Sequence, residues 1–375
     1  MIDRLRQDLG ASGAAIVEEP QGGYRVTPPS IASLGRAVAV VRAWKLPLRV
    51  RGSHDAPGSA PGNARGVLLD LSSLDRIASV DGRTGIVRVE AGCSVAALEA
   101  AARRAGTTLG PLLPSVRAGS VGAWLGGPTR GERGIPGSRR ETAALSVTAV
   151  LADGRLAESR AAPRSATGPD LDHLALGGGG RLCVVAAAWI RLFPVAPALA
   201  TAWSFRSLPT AVAALEELCL ERSAPARARI VGSGDGARLA LAWEGLETAP
   251  MDRDRAGRVL AALGATPESD RGANQWLREP SSGDPVEVDA RWASLRGWSQ
   301  QGELQFFGMH AGGAFATLAL PDARGAEECA ALARAAGARV IAPRRMRDAG
   351  PAWEAMGAGA VWRRLVEALG VEEAP

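Results

Sequence analysis

No stretch of this 375-residue chain is apolar for long enough to cross a bilayer as a helix. Cysteine is sparse. Cys93, Cys183, Cys219 and Cys329 stand far apart and form no C-x-x-C pair, so neither a zinc site nor a dithiol redox motif is signalled. All four read as buried small apolar residues. The three histidines, His54, His173 and His310, are too dispersed for a histidine-rich metal site, and no metal is expected. Lys45 is the only lysine, so the net charge of +5 rests on arginine. Those arginines are scattered among Asp and Glu rather than gathered into a stripe, which argues against nucleic acid as a partner. The N-terminus, Met1-Ile2-Asp3-Arg4-Leu5-Arg6, carries early charge with no apolar segment behind it. A cytoplasmic chain with no secretory leader and no membrane span is the expectation.

What the chain does have is enough length for two domains. Ile31, Leu34, Val38 and Val41 recur at helical spacing after the turn Pro28-Pro29-Ser30. Short apolar runs at 48–50, 67–71, 85–90, 145–151 and 182–192 read as strands, and 95–105 reads as a helix capped by Gly106. From 111 to 137 the pattern gives way to Gly, Pro and Ser. In the second half the strand-like and helix-like runs follow one another as β-α-β-β-α-β, broken by a polar stretch at 266–289 and closed by a terminal helix at 361–369. That order predicts one ferredoxin-like sheet with helices on one face. No internal repeat is visible in the residues.

Three glycine-bearing segments carry the chemistry of the first half. They are Arg51-Gly52-Ser53-His54-Asp55-Ala56-Pro57-Gly58, then Pro114-Ser115-Val116-Arg117-Ala118-Gly119-Ser120-Val121-Gly122, then Gly177-Gly178-Gly179-Gly180-Arg181-Leu182-Cys183-Val184-Val185. Glycine lets backbone amides approach a phosphate and form an anion-binding concavity. None of the three is a Rossmann fingerprint, because the third leads into a strand and not a helix.

The ordered set resembles the FAD-binding domain of the vanillyl-alcohol oxidase and p-cresol methylhydroxylase (PCMH) family over residues 24–195. Arg51 to Gly58 resembles that family's pyrophosphate loop, and Val89-Glu90-Ala91-Gly92 its "veaG" strand end. Ala118-Gly119-Ser120-Val121-Gly122 resembles "a-T-i-G-G", Gly137-Ser138-Arg139-Arg140-Glu141 resembles "yGsvrD", and Gly180-Arg181-Leu182-Cys183-Val184 resembles "G-t-L-G-v". The resemblance implies FAD as cofactor. It places Arg51, Gly52, Ser53, His54, Asp55, Gly58 and Pro114 at the pyrophosphate, and counts Gly137 and Ser138 among the cofactor-binding residues. It places Gly119, Ser120, Val121 and Gly122 beside the flavin ring, and Gly180, Leu182, Val184 and Val185 at the adenine or ribityl end. Trp124 follows and has the chemistry to stack near the flavin.

Four positions depart from the family pattern: His54 for a glycine, Ala123 for a glycine, Glu141 for an aspartate and Cys183 for a glycine. With one residue deleted, His54-Asp55-Ala56-Pro57-Gly58 resembles the "H-N/D-x-x-G" of relatives that tether FAD through histidine. Without the deletion His54 adds bulk to the phosphate loop.

The expected fold is α+β: a two-subdomain PCMH-type FAD-binding domain over 1–196, followed by a ferredoxin-like α+β substrate or cap domain over 197–375. The layout resembles the FAD-binding subunit of bacterial glycolate oxidase, although the closing "DP-x-x-x-NPG" of that subunit is absent. The resemblance implies hydride transfer from a small 2-hydroxy acid to FAD, with sister subunits of a redox complex as partners. His310 is then the candidate base, and Arg344 and Arg345 the candidate carboxylate clamp. Two other readings stay open: a non-catalytic family member acting as a partner subunit, and an FAD-dependent sugar or aldonolactone oxidase. No iron–sulfur or haem motif is visible, so a further electron carrier would be another protein.

Overall fold

The computed structural model describes residues 2–341, save 21, 53–65, 79, 111, 113, 127–142, 163–171, 179, 181, 196–197, 234–235, 245–247, 278–285, 298–301, 311 and 320–325. Ser53, His54, Asp55, Gly58, Gly137, Ser138, Arg344, Arg345 and the helix expected at 361–369 lie outside the described residues.

The chain opens with α1 (Ile2–Ala11), β1 (Ala15–Glu18), β2 (Tyr24–Thr27), α2 (Ile31–Ala43), β3 (Leu48–Arg51) and β4 (Val67–Asp70). The strands form a sheet ordered β1-β2-β4-β3, in which β2, β4 and β3 run parallel and β1 is antiparallel. Parallel strands need a crossover connection, and α2 carries the chain from β2 to β3, past β4. Ser30 caps α2 by accepting from Ser33 N at 3.2 Å, and Leu34, Val38 and Val41 are fully buried. The sequence pass gave no helix at α1, whose residues are mostly polar. Leu5 and Leu9 nevertheless bury one stripe of it, and Trp44 Nε1 donates to Asp8 Oδ2 at 2.9 Å to hold it against α2.

A second group follows: β5 (Ile86–Glu90), α3 (Val95–Arg104), β6 (Thr107–Thr108), α4 (Pro114–Ala118), α5 (Val121–Gly126), β7 (Ala144–Leu151), β8 (Leu156–Glu158), α6 (Asp172–Ala175), β9 (Cys183–Arg191) and β10 (Phe193–Pro194). Here the sheet is antiparallel and ordered β5-β9-β7-β8, and β10 pairs with β6. The central strands β7 and β9 are buried almost throughout, which explains their continuous apolar runs. One expectation is corrected. Residues 111–137 are not wholly irregular, because α4 and α5 form within them despite the glycines. Ser120 makes this feasible: its Oγ accepts from Ala123 N at 3.2 Å in the first turn of α5. Both groups share one apolar core that runs from Leu5 to Leu192.

The remainder comprises β11 (Ala198–Phe205), α7 (Leu208–Leu220), β12 (Arg227–Ser233), β13 (Gly236–Glu244), α8 (Ala249–Ala262), β14 (Thr266–Pro267), α9 (Ala273–Trp276), β15 (Val286–Ala290), α10 (Trp292–Arg296), β16 (Gly302–His310), β17 (Gly313–Ala319), α11 (Ala326–Ala335) and β18 (Arg339–Ile341). Its eight strands make one antiparallel sheet ordered β14-β11-β13-β12-β16-β17-β15-β18. A single β-α-β-β-α-β unit was expected; the structure holds two, β11 to β14 and β15 to β18. Each is ordered 4-1-3-2, and they join edge to edge through antiparallel β12 and β16, so the strand order reads the same from either edge. The repeat is invisible in the residues because β14 is two residues long and β15 lies at the end of the polar stretch. Its own core runs from Trp203 to Ala338.

The two faces of this sheet differ. Ile230, Leu239, Leu241, Leu304, Phe306 and Leu318 face that core. Arg229 and Glu303 alternate with them and form an ion pair of 2.7 Å across the β12–β16 seam, their side chains 6% and 7% exposed. Arg229 also donates to Trp276 O and lies 5.0 Å from the centroid of the Trp276 ring. Removing one partner from such a pair strands a buried charge. Glu303→Ala therefore lowers the unfolding free energy by about 3–5 kcal/mol in urea denaturation, whereas Arg229→Met combined with Glu303→Leu loses far less.

Candidate functional site

Described residues next to the first and second glycine segments pack against described residues of the third. Gly180 lies against β3: a Cβ built on it would stand 3.4 Å from Val50 Cγ2. Val38, Arg42, Leu48, Gly180, Leu182, Cys183 and Val184 line one groove there, directly before Arg51 and Gly52 in the chain. The second segment lies against the other side. Gly177 N donates to Leu125 O at 2.8 Å, and a Cβ on Gly126 would stand 3.6 Å from Val185 Cγ2. Arg51, Gly52, Gly119, Ser120, Val121, Gly122, Gly180, Leu182, Val184 and Val185 are therefore in one neighbourhood of the fold, and Pro114 opens α4 just before Gly119.

A tight turn, 91–94, holds these parts in register. Gly92 N donates to Leu74 O at 2.8 Å, and Ala91 N donates to Ala186 O at 2.9 Å. Ala91 O and Cys93 O accept from Gly122 N and Val121 N at 2.7 and 2.8 Å, and Val95 N donates to Gly119 O at 3.0 Å. One turn thus ties the first sheet, the second sheet and the second glycine segment together. The approach is too close for side chains. A Cβ at Gly92 would fall 1.8 Å from Leu71 O, and one at Gly122 would fall 3.0 Å from Ala91 O.

Next to each segment sits a buried nitrogen donor with no hydrogen-bond partner among the described residues: Arg51 Nε at the first, Trp124 Nε1 at the second and Arg42 Nε in the groove of the third. Arg51 Nη2 is held by Asp70 Oδ2 at 3.3 Å, which leaves its Nε for something else. An unmade hydrogen bond to a buried donor costs about 1–3 kcal/mol, so three together ask for a ligand. All three are donors. They suit a ligand rich in acceptor oxygens and ring nitrogens, as a flavin dinucleotide is, and the backbone crowding at Gly92 and Gly122 suits a close-lying extended group.

Residues 23–160 match the protein family described as an FAD binding domain. This stretch is similar to that family. Over 172 residues the chain is 27% identical to the uncharacterized FAD-linked oxidoreductase YgcU of Escherichia coli (strain K12), covering 45% of this chain and 36% of that protein. Over 171 residues it is 28% identical to D-lactate dehydrogenase of Archaeoglobus fulgidus, covering 45% of this chain and 38% of the relative. The match thus spans little more than a third of each curated relative. A solved structure of alkyldihydroxyacetonephosphate synthase has the same fold across 92% of this chain and 75% of its own, with a TM-score of 0.70 at 16% identity.

The thiols of the first half are buried and held protonated. Burial pushes Cys93 and Cys183 up to about 11, with Asp75 and Glu90 adding to the shift at Cys93. All four cysteines are free and buried, as their spacing suggested. Of the candidates in the second half, His310 is the last residue of β16, register-paired with Gly313. Sequence reading missed Arg42, Arg229 and Glu303. The signal for the last two was present: each is a charge alternating with apolar neighbours inside a strand, Ala228-Arg229-Ile230 and Glu303-Leu304.

Two outcomes follow. Gly92→Ala forces the turn off Leu71 O and lowers stability by about 1–3 kcal/mol, read as a fall in Tm together with reduced FAD uptake. Native Cys93 and Cys183 react with a thiol reagent at pH 8 only as fast as the chain unfolds, because about one thiol in a thousand is ionised three pH units below its pKa.

Proposed function

We propose that the chain is an FAD-dependent oxidoreductase acting on a CH–OH group, with a small 2-hydroxy acid of the glycolate or lactate kind as substrate. Residues 1–196 are proposed as the two-subdomain FAD-binding domain and 197–375 as an α+β substrate or cap domain built from paired ferredoxin-like units. The observation that carries the cofactor half is the set of three buried unpartnered donors, one beside each glycine segment. The similarity to D-lactate dehydrogenase supports the substrate half.

Bound FAD supplies a two-electron acceptor. Oxidation to the 2-oxo acid removes the carbinol hydrogen as hydride and the hydroxyl hydrogen as a proton. His310 is the proposed base for that proton. It ends the strand that carries Glu303 and Gln305, and Gln305 Nε2 already donates to Leu277 O at 3.0 Å. Arg344 and Arg345 are proposed to hold the substrate carboxylate by paired N–H donors. His54 is proposed as a residue of the pyrophosphate loop, a covalent tether to the flavin being the alternative role.

A partner-subunit reading, without turnover of its own, draws support from the departures at His54, Ala123, Glu141 and Cys183. Anaerobic mixing of the FAD-loaded chain with glycolate, D-lactate, L-lactate or a sugar lactone separates the readings. Bleaching of the flavin by a hydroxy acid is expected, slowed about 10²–10⁴-fold in His310→Ala. Bleaching by the lactone alone contradicts the substrate assignment, and bleaching by none favours the partner-subunit reading.

A further inference from the structure

We propose that Trp124 is a cofactor-positioning residue whose indole N–H donates a hydrogen bond to the isoalloxazine ring of FAD. This rests on the FAD-binding reading of the domain.

Three observations converge on it. Trp124 is 2% exposed, yet its Nε1 has no acceptor among the described residues. Tryptophan offers that one donor and nothing else polar, so burial without a partner is unusual for the residue. Its helix, α5, continues directly from Gly119–Gly122, the segment whose backbone is pressed against the 91–94 turn. The helix is fixed from outside at two points: Leu125 O accepts from Gly177 N at 2.8 Å, and Gly126 rests on Val185 of β9. The indole is therefore carried on a backbone held in place before any ligand arrives. Flavin carbonyl oxygens and ring nitrogens are acceptors that can complete the missing bond. The free chain carries an unsatisfied donor, and the loaded chain does not.

The physical consequence is a split between stability and affinity. Trp124→Phe keeps a large apolar ring and deletes the donor. The FAD dissociation constant, measured by quenching of flavin fluorescence in the full chain, rises about tenfold. Meanwhile Tm without FAD stays level or rises, because the variant buries no orphan N–H. ADP binding, read by displacement of FAD, is unchanged. Site-specific replacement of Trp124 by benzothienylalanine, which puts sulfur where the N–H was, gives the same pattern without the change of volume. An affinity for FAD equal to wild type in both variants overturns the proposal. A tenfold loss for ADP as well overturns the assignment to the ring. Equal losses of Tm with and without FAD, at constant affinity, reduce Trp124 to a packing residue. A wild-type chain that takes up no FAD overturns the cofactor reading itself, a result distinct from each of these.

Discussion

The cofactor region depends on one backbone junction, the turn 91–94. Leu71 and Leu74 press on it from the turn that follows β4, Ala186 bonds it to the second sheet, and Gly119, Val121 and Gly122 bond it to the second glycine segment. Only a residue without a Cβ fits at 92, since Leu71 O already occupies that space. Main-chain hydrogen bonds of 2.7–3.0 Å through one turn therefore fix two sheets and a glycine-rich segment relative to each other. Side chains then need little freedom to present a binding surface, which is how rigid elements hold a site in register.

Polar groups left unsatisfied at such a junction are informative because they work against stability. Arg42, Arg51 and Trp124 each bury a donor nitrogen without a partner among the described residues, and each lies beside a different glycine segment. Natural chains keep such groups where a ligand completes them. The buried pair Arg229–Glu303 is a different case. It is closed on itself and on Trp276, and it spans the seam between two halves of one sheet. Removing one charge of that pair costs far more than replacing both by apolar side chains.

Much of this was legible in the residues. Helix α2 declared itself by Leu34, Val38 and Val41, and β7 and β9 by their apolar runs, because burial of one stripe or of a whole strand leaves a period in the sequence. The first two glycine segments lie within the stretch 23–160 that matches an FAD binding domain; the third, 177–185, lies beyond it. Other features left no period. α1 is held by two leucines and a tryptophan from another helix, and α5 by the hydroxyl of Ser120. The duplication of the β-α-β-β-α-β unit shows only in strand order, since α7 has thirteen residues where its counterpart α10 has five. The unpartnered donors were equally hidden: a sequence names an indole or a guanidinium but not the acceptors around it.

The most direct test of the central claim is the visible absorption spectrum of the purified full chain after incubation with FAD and desalting. A two-band flavin spectrum with equimolar FAD retained is the predicted result. A colourless chain that retains no flavin would contradict it: the three buried donors would then have no cofactor to serve, and the glycine segments would be structural turns alone.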